Sequence, residues 1–203
     1  MGAGRLRADT ATAAAPILPP VNVEAAEVFF SLLALVAAAG ALVLLGARLA
    51  ARTSSTARRL VLTVDDAALW LAFLVAATCT AGSLYFSEVA HYVPCQMCWY
   101  QRIAMYSSAV VLLVAAIRRD RGVRWYVGPL AGLGALVSSY HYLIEWKPSL
   151  EGGACGTGPS CADIWFRELG FVTLAFMALC GFVAILVLVV PRPPARPRSL
   201  EIP

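Results

Sequence analysis

Six cysteines occur in this 203-residue chain, and two of them stand three positions apart in Pro94-Cys95-Gln96-Met97-Cys98-Trp99-Tyr100-Gln101-Arg102. Thiols at this spacing close and reopen a disulfide, by thiolate attack on one sulfur and departure of another. A second pair, Cys155 and Cys161, encloses Gly156-Thr157-Gly158-Pro159-Ser160. Two pairs suit a relay of electrons, in which one dithiol receives them from outside and the other hands them on. Such thiols need a depressed pKa, which helix N-termini and nearby cations supply. Pro94 suits a helix start, so Cys95 and Cys98 are expected in or just before a first turn, where unpaired N–H groups and the helix dipole favour negative charge. Arg102 follows Cys98 by four positions and shares its helical face.

Plainer readings compete with each of these. Cys95 and Cys98 can form a static disulfide, or the four loop cysteines a zinc site, although C-x5-C is an unusual half-site and an oxidising exterior disfavours thiolate ligands. Arg102 can snorkel toward headgroups. Cys155 and Cys161 can simply staple their loop, whose glycines, with Gly152 and Gly153 before them, also read as a mobile carrier segment. His141, in Ser138-Ser139-Tyr140-His141-Tyr142, is either an interfacial anchor or an ionisable group kept for function. Cys79 and Cys180 fall inside apolar runs and read as small hydrophobes, and His91 reads as solvent-facing.

The elements that must position these residues are membrane helices. Sixty per cent of the chain is apolar and 14% charged, with mean hydropathy +0.74, a composition of membrane spans. Five apolar runs, near Val28 to Ala47, Ala67 to Ser87, Trp99 to Ile117, Trp125 to Ile144 and Leu169 to Val190, have about the 20 residues a span needs. Basic clusters follow the first run (Arg48, Arg52, Arg58, Arg59), the third (Arg118, Arg119, Arg121, Arg124) and the fifth (Arg192, Arg196, Arg198). The excess of basic residues in cytoplasmic loops predicts that the N-terminus and both cysteine loops lie outside and the C-terminus inside. The formal charge of +4 mostly reflects those clusters and gives no support to a nucleic-acid partner. Glu24 and Glu27 before the first run, with the stronger basic cluster after it, favour a retained helix over a secretory signal. Tyr85, Phe86, Tyr92, Trp99, Tyr100, Tyr140, Tyr142, Trp146 and Trp165 gather toward the outer ends as membrane anchors, a few of them suited to line a pocket for a flat ring.

These residues resemble the disulfide bond formation protein B family, DsbB, in its BdbC-type branch. The resemblance rests on Leu84-Tyr85-Phe86-Ser87-Glu88, on Pro94 through Arg102 with Ile103, Met105 and Tyr106, on Tyr140-His141-Tyr142, on the C-x5-C pair, and on Trp165 through Leu174. It covers about Ala67 to Val190. It implies an all-α membrane protein: a four-helix transmembrane bundle, here with one extra N-terminal transmembrane helix that the four-helix members lack. The expected organisation is a disordered tail over 1–26, the extra helix over 27–47, a cytoplasmic basic loop over 48–66, the DsbB-like core with two extracytoplasmic cysteine loops over 67–190, and a Pro/Arg-rich cytoplasmic tail over 191–203.

The resemblance further implies a quinone-dependent protein-disulfide oxidoreductase in the cell membrane. It would reoxidise an extracytoplasmic thioredoxin-fold dithiol oxidase and pass the electrons to a membrane quinone, a ubiquinone or a menaquinone. Carried over by position, Cys155 would be attacked by the partner's thiolate and Cys161 would then exchange with Cys95. Cys98 would meet the quinone ring, Arg102 would hold it, and His141 would lie beside it. A reductase like the vitamin K epoxide reductase relatives uses similar chemistry, but the BdbC-like flanking residues argue against it. A structural or metal-binding membrane protein is the alternative of another class.

Overall fold

A computed structural model describes residues 22–189 except Ala154 and Thr157. The tail expected over 191–203, and that over 1–26 up to residue 21, fall outside the described residues. Five helices follow in order: α1 (Val23–Ala50), α2 (Ser55–Leu84), α3 (Gln96–Arg118), α4 (Arg124–Trp146) and α5 (Leu174–Val189). The fold is an all-α membrane bundle. Among the described residues the nearest thing to a sheet is the isolated pairing of Glu168 with Val172.

Local chemistry fixes the helix ends. Asn22 caps α1 by accepting from the Ala25 N–H at 3.1 Å, and Ser54 caps α2 by accepting from Ala57 N–H at 3.3 Å, each satisfying a donor that the first turn leaves unpaired. These caps correct two expected boundaries. Residues 23–26 are helical, and the basic connection expected over 48–66 is helix for most of its length, since only 51–54 separate α1 from α2. The apolar periodicity marks where a helix is buried in lipid, whereas the cap marks where it starts. Likewise the fifth helix begins at Leu174 rather than Leu169, because 168–172 closes a tight turn with Leu169 and Gly170 at positive φ.

Three of the helical stretches, Val23–Ala50, Ser55–Val89 and Gln96–Arg118, are long and apolar enough to cross a membrane, and Leu174–Val189 is apolar but shorter. α4 contains Pro129 and the small residues Gly132 and Gly134, and it packs closely. A methyl group built on Gly134 would lie 2.3 Å from the Phe182 ring of α5, and one on Gly181 would lie 2.6 Å from Cys79 Sγ of α2. Between membrane helices, where lipid is as apolar as any side chain, close approach through small residues supplies the packing contacts that hold the bundle. Ala72, Ala76, Ala131, Leu112, Val127, Phe182 and Ile185 form the fully buried body of that core.

The two ends of the bundle differ in chemistry. At one end Arg48 pairs with Asp65 at 2.8 Å and donates to the Val187 carbonyl at 2.7 Å, while Arg121 donates to the Asp65 carbonyl at 3.3 Å. Those contacts join the last turns of α1 and α5 to the first turns of α2 and the α3–α4 connection. All four loop cysteines gather at the other end.

Candidate functional site

Cys95 caps α3: its Sγ accepts from the Cys98 N–H at 3.4 Å, with backbone at φ −77°, ψ 176°. Pro94 therefore stands just outside the helix, and Cys98 lies in the first turn. Their sulfurs are 3.0 Å apart as free thiols. The Cys98 thiol beside it holds Cys95 far below its ordinary value, down to about 4; burial works against this, and the His141 ring adds to it. The physical cause is hydrogen bonding to the charged form at a helix start.

His141 sits between the two cysteine segments. Its Nε2 is 3.7 Å from Cys95 Sγ and 3.2 Å from the Cys161 carbonyl, and its Nδ1 is 3.1 Å from the side-chain amide nitrogen of Gln101. An amide nitrogen only donates, so Nδ1 accepts and the ring proton belongs on Nε2, where it faces both the Cys161 oxygen and the Cys95 sulfur. Gln101, buried one turn beyond Met97, thus sets the tautomer. Gln101 carried no functional signal in the sequence, because its role needs a partner forty positions away.

Cys155 and Cys161 are joined as a disulfide. Both are buried, at 3% and 0% exposure, in one cluster with Cys95, Met97 and Ile144, against which Cys98 also packs. Glu151 holds this loop: its carboxylate accepts from the Cys161 N–H and from Ser160 Oγ, both at 2.9 Å. Gly152, Gly153 and Gly156 take positive φ there, a conformation that costs other residues strain. The segment that could be either a staple or a mobile carrier has both cysteines buried in this arrangement. Glu151 likewise carries no signal in the sequence, since its role exists only once the loop has closed on it.

On its other side Cys98 faces a cavity of about 570 Å³, within the range of small-molecule sites. Cys98, Gln101, Arg102 and Ser83 make its polar end, and the rest is chiefly apolar side chains of α1, α2 and α5. Arg102 donates to the Ser83 carbonyl at 3.1 Å and lies 5.3 Å from the centre of the Trp99 ring. So the four-residue spacing does bring Arg102 and Cys98 to one place. Tyr92 and Trp165, expected as anchors or ring-binding aromatics, stack at 4.6 Å with an 8° tilt, and Phe86 stacks on Tyr92 at 5.7 Å; all three border the cavity. This stack ties the segment before Cys95 to the segment after Cys161. His91 is exposed. Cys79 lines the same cavity deeper in the bundle, and Cys180 is buried.

Comparison with known proteins falls on this same region. The family model described as Disulfide bond formation protein DsbB matches residues 65–191. Over 120 residues the chain is 39% identical to a protein of Bacillus subtilis named Disulfide bond formation protein C, covering 59% of this chain and 87% of the relative. A Bacillus anthracis protein named Probable disulfide formation protein C 1 is 43% identical over 125 residues, 61% of this chain and 89% of the relative. A Coxiella burnetii protein named Probable disulfide formation protein is 43% identical over 122 residues, 59% of this chain and 81% of the relative. No solved structure matches. α1 lies outside the matched stretch.

Proposed function

The chain belongs to the DsbB family of membrane disulfide-formation proteins, and we propose that it oxidises the dithiol of an extracytoplasmic thioredoxin-fold partner and delivers the electrons to a membrane quinone. One observation carries this reading: Cys95 packs against the Cys155–Cys161 disulfide on one side, and its neighbour Cys98 borders the large cavity with Arg102 on the other. The inner pair is thereby in contact with both ends of a relay.

In this reading the partner's thiolate attacks Cys155, forming a mixed disulfide and releasing Cys161 as a thiolate. Cys161 attacks Cys95 of an oxidised Cys95–Cys98 pair, and Cys98 leaves with the electron pair. The partner's second thiol then resolves the mixed disulfide and departs oxidised, and Cys155 attacks Cys161 to close the outer pair and free Cys95. Two electrons and two protons have moved from the partner's dithiol to Cys95 and Cys98. That end point has an oxidised outer pair and a reduced inner pair.

The residues lining the cavity fit a quinone: an apolar chamber with a thiol, a guanidinium and an amide grouped at one end. A bound quinone supplies a two-electron, two-proton acceptor. Arg102 would hold it and favour negative charge there, as a fixed cation does at an oxyanion site. His141 would keep its Nε2–H on Cys95 and stabilise the thiolate that Cys95 becomes on leaving. The cysteine end faces the cell exterior and the Arg48 and Arg121 end the cytoplasm, following the basic clusters.

The test is reconstitution of the purified chain with a reduced thioredoxin-fold partner and quinone, following quinone absorbance. Quinone reduction is expected from the wild type and not from Cys98→Ser; equal rates in the two would discard the reading. A reduced partner whose second cysteine is replaced by serine cannot resolve the intermediate and should accumulate the mixed disulfide on Cys155, with Cys161 released. A second reading rests on Cys95, Cys98 and His141, whose ligand atoms all lie within 4.8 Å of one another and would suit a thiophilic ion such as zinc. Stoichiometric metal in the purified protein, lost in Cys98→Ser, would favour it.

A further inference from the structure

The helix that lies outside the family match is built into the cavity beside Cys98. In the Bacillus subtilis relative the aligned residues are 87% of the chain, which leaves too little for a 28-residue helix and its connection. α1 here lies against α2 and α5, and Phe30, Leu33, Ala34, Val36 and Ala37 form one side of the cavity, facing Leu71 and Leu74 of α2. Phe30 covers Gly82 so closely that a methyl group there would lie 2.9 Å from its ring. Val36 and Leu74 are 68% and 55% exposed while also lining the cavity, so the chamber opens sideways between α1 and α2 onto the lipid.

α1 is fastened at both ends. Glu27 accepts a hydrogen bond from the Tyr92 hydroxyl, and Tyr92 stacks on Trp165, so the outer end of α1 holds the aromatic stack over the cysteine segments. The other end is held by the Arg48–Asp65 pair and the Val187 carbonyl. A helix serving only as an anchor needs neither connection.

The cavity is also longer than an aromatic ring needs. Its α2 wall from Leu71 to Gly82 extends about 16 Å at the helical rise, and its charged and amide groups, Arg102 and Gln101, stand at the Cys98 end, with Thr78 the polar residue farther along that wall. We propose that α1 forms the tail-binding wall and one jamb of the lateral entrance of the acceptor site, so that the polyprenyl chain of a quinone runs along Leu33, Ala34 and Ala37. This rests on the quinone reading above. It adds that the extra helix makes the site selective for long-tailed acceptors.

The experiment uses the full chain in lipid nanodiscs, with quenching of tryptophan emission as the binding signal and a long-tailed and a tail-less quinone as titrants. Ala34→Phe fills the wall, Ala37→Leu fills it more mildly should the first variant fold poorly, and Leu42→Phe alters an α1 residue that is 69% exposed and outside the lining. Expected is about tenfold weaker binding of the long-tailed quinone in either wall variant, the loss of roughly two buried methylene contacts, with less than about a twofold change for the tail-less one. Leu42→Phe should bind both as the wild type does, and its single-turnover exchange with a reduced partner should be unaltered. Unchanged long-tailed binding in both wall variants would overturn the proposal, as when a lipid acyl chain occupies that wall instead. Equal weakening of both quinones would also overturn it. A wild type that binds neither quinone removes the quinone reading itself and the inference with it, a result distinct from either variant outcome.

Discussion

The Cys98 contact that depresses the Cys95 thiol makes a prediction that needs neither partner nor acceptor. Cys95 should ionise well below the range of an ordinary thiol. Depressed ionisation means that the thiolate is present above the lowered pKa and disappears only as pH falls through it. At about pH 6 an ordinary thiol would be roughly 0.1% ionised, and Cys95 should be ionised to a much larger extent. The leading cause is the hydrogen bond from Cys98, at 3.0 Å between sulfurs. A hydrogen bond to a charged group is worth about 1.5–3 kcal/mol, which is about one to two pH units. Cys98→Ala should therefore raise the midpoint by about that much, and His141→Ala, whose Nε2 is farther away at 3.7 Å, by less than about one unit. The assay is far-ultraviolet thiolate absorbance against pH in a Cys155→Ser, Cys161→Ser background, with Cys95→Ser subtracted. Absorbance is preferable to alkylation because Cys95 is only 5% exposed, and a slow reagent would report access rather than charge. A midpoint in the ordinary thiol range, unmoved by Cys98→Ala, would refute the reasoning.

Three further outcomes follow from the packing. Glu151→Ala removes two hydrogen bonds that hold the Cys161 segment inward, so amide exchange at Cys161 should quicken by about tenfold or more and partner-linked disulfide should form faster; unchanged exchange would mean the loop is held by something else. Gly134→Ala drives a methyl group against Phe182 and should cost about 1–3 kcal/mol, whereas Gly132→Ala meets nothing within 4 Å and should be neutral or slightly stabilising in thermal unfolding; the opposite ranking would contradict the α4–α5 contact. Arg48→Leu takes the guanidinium from a buried Asp65 and should destabilise by about 3 kcal/mol or more, with Asp65→Leu added in the same chain recovering part of the loss. Equal stability of single and double variants would show that the pair does not act as one.

Much of the site is local and so was readable from the chain. A C-x-x-C after a proline puts its first sulfur at a helix cap, because the cap geometry depends on a handful of neighbouring residues, and a four-residue step brings Arg102 to the Cys98 side for the same reason. Apolar run lengths determined the membrane class and the number of helices, since the bilayer thickness fixes how many residues a span needs. Where the helices start was less legible: hydropathy records burial in lipid, while Ser54 starts α2 well before its apolar run, and the Leu169–Thr173 segment closes a turn though its residues are mostly apolar.

Tertiary structure alone decided what lies between the pieces. Gln101, Glu151 and Ser83 are unremarkable in sequence, yet one sets the His141 tautomer, one holds the disulfide loop and one receives Arg102, because Gln101 and Ser83 act on groups of other helices and Glu151 on groups across its own folded loop. The inward fold of the Cys155–Cys161 loop could not be inferred from its glycines, which permit both a free loop and a tightly turned one. Nor could the place of α1, whose sequence gives only an apolar helix with charged ends. An apolar face does not name its neighbour; the pairing of Arg48 with Asp65, the Glu27–Tyr92 contact and the fit of Phe30 over Gly82 do, and they exist only once the helices have packed.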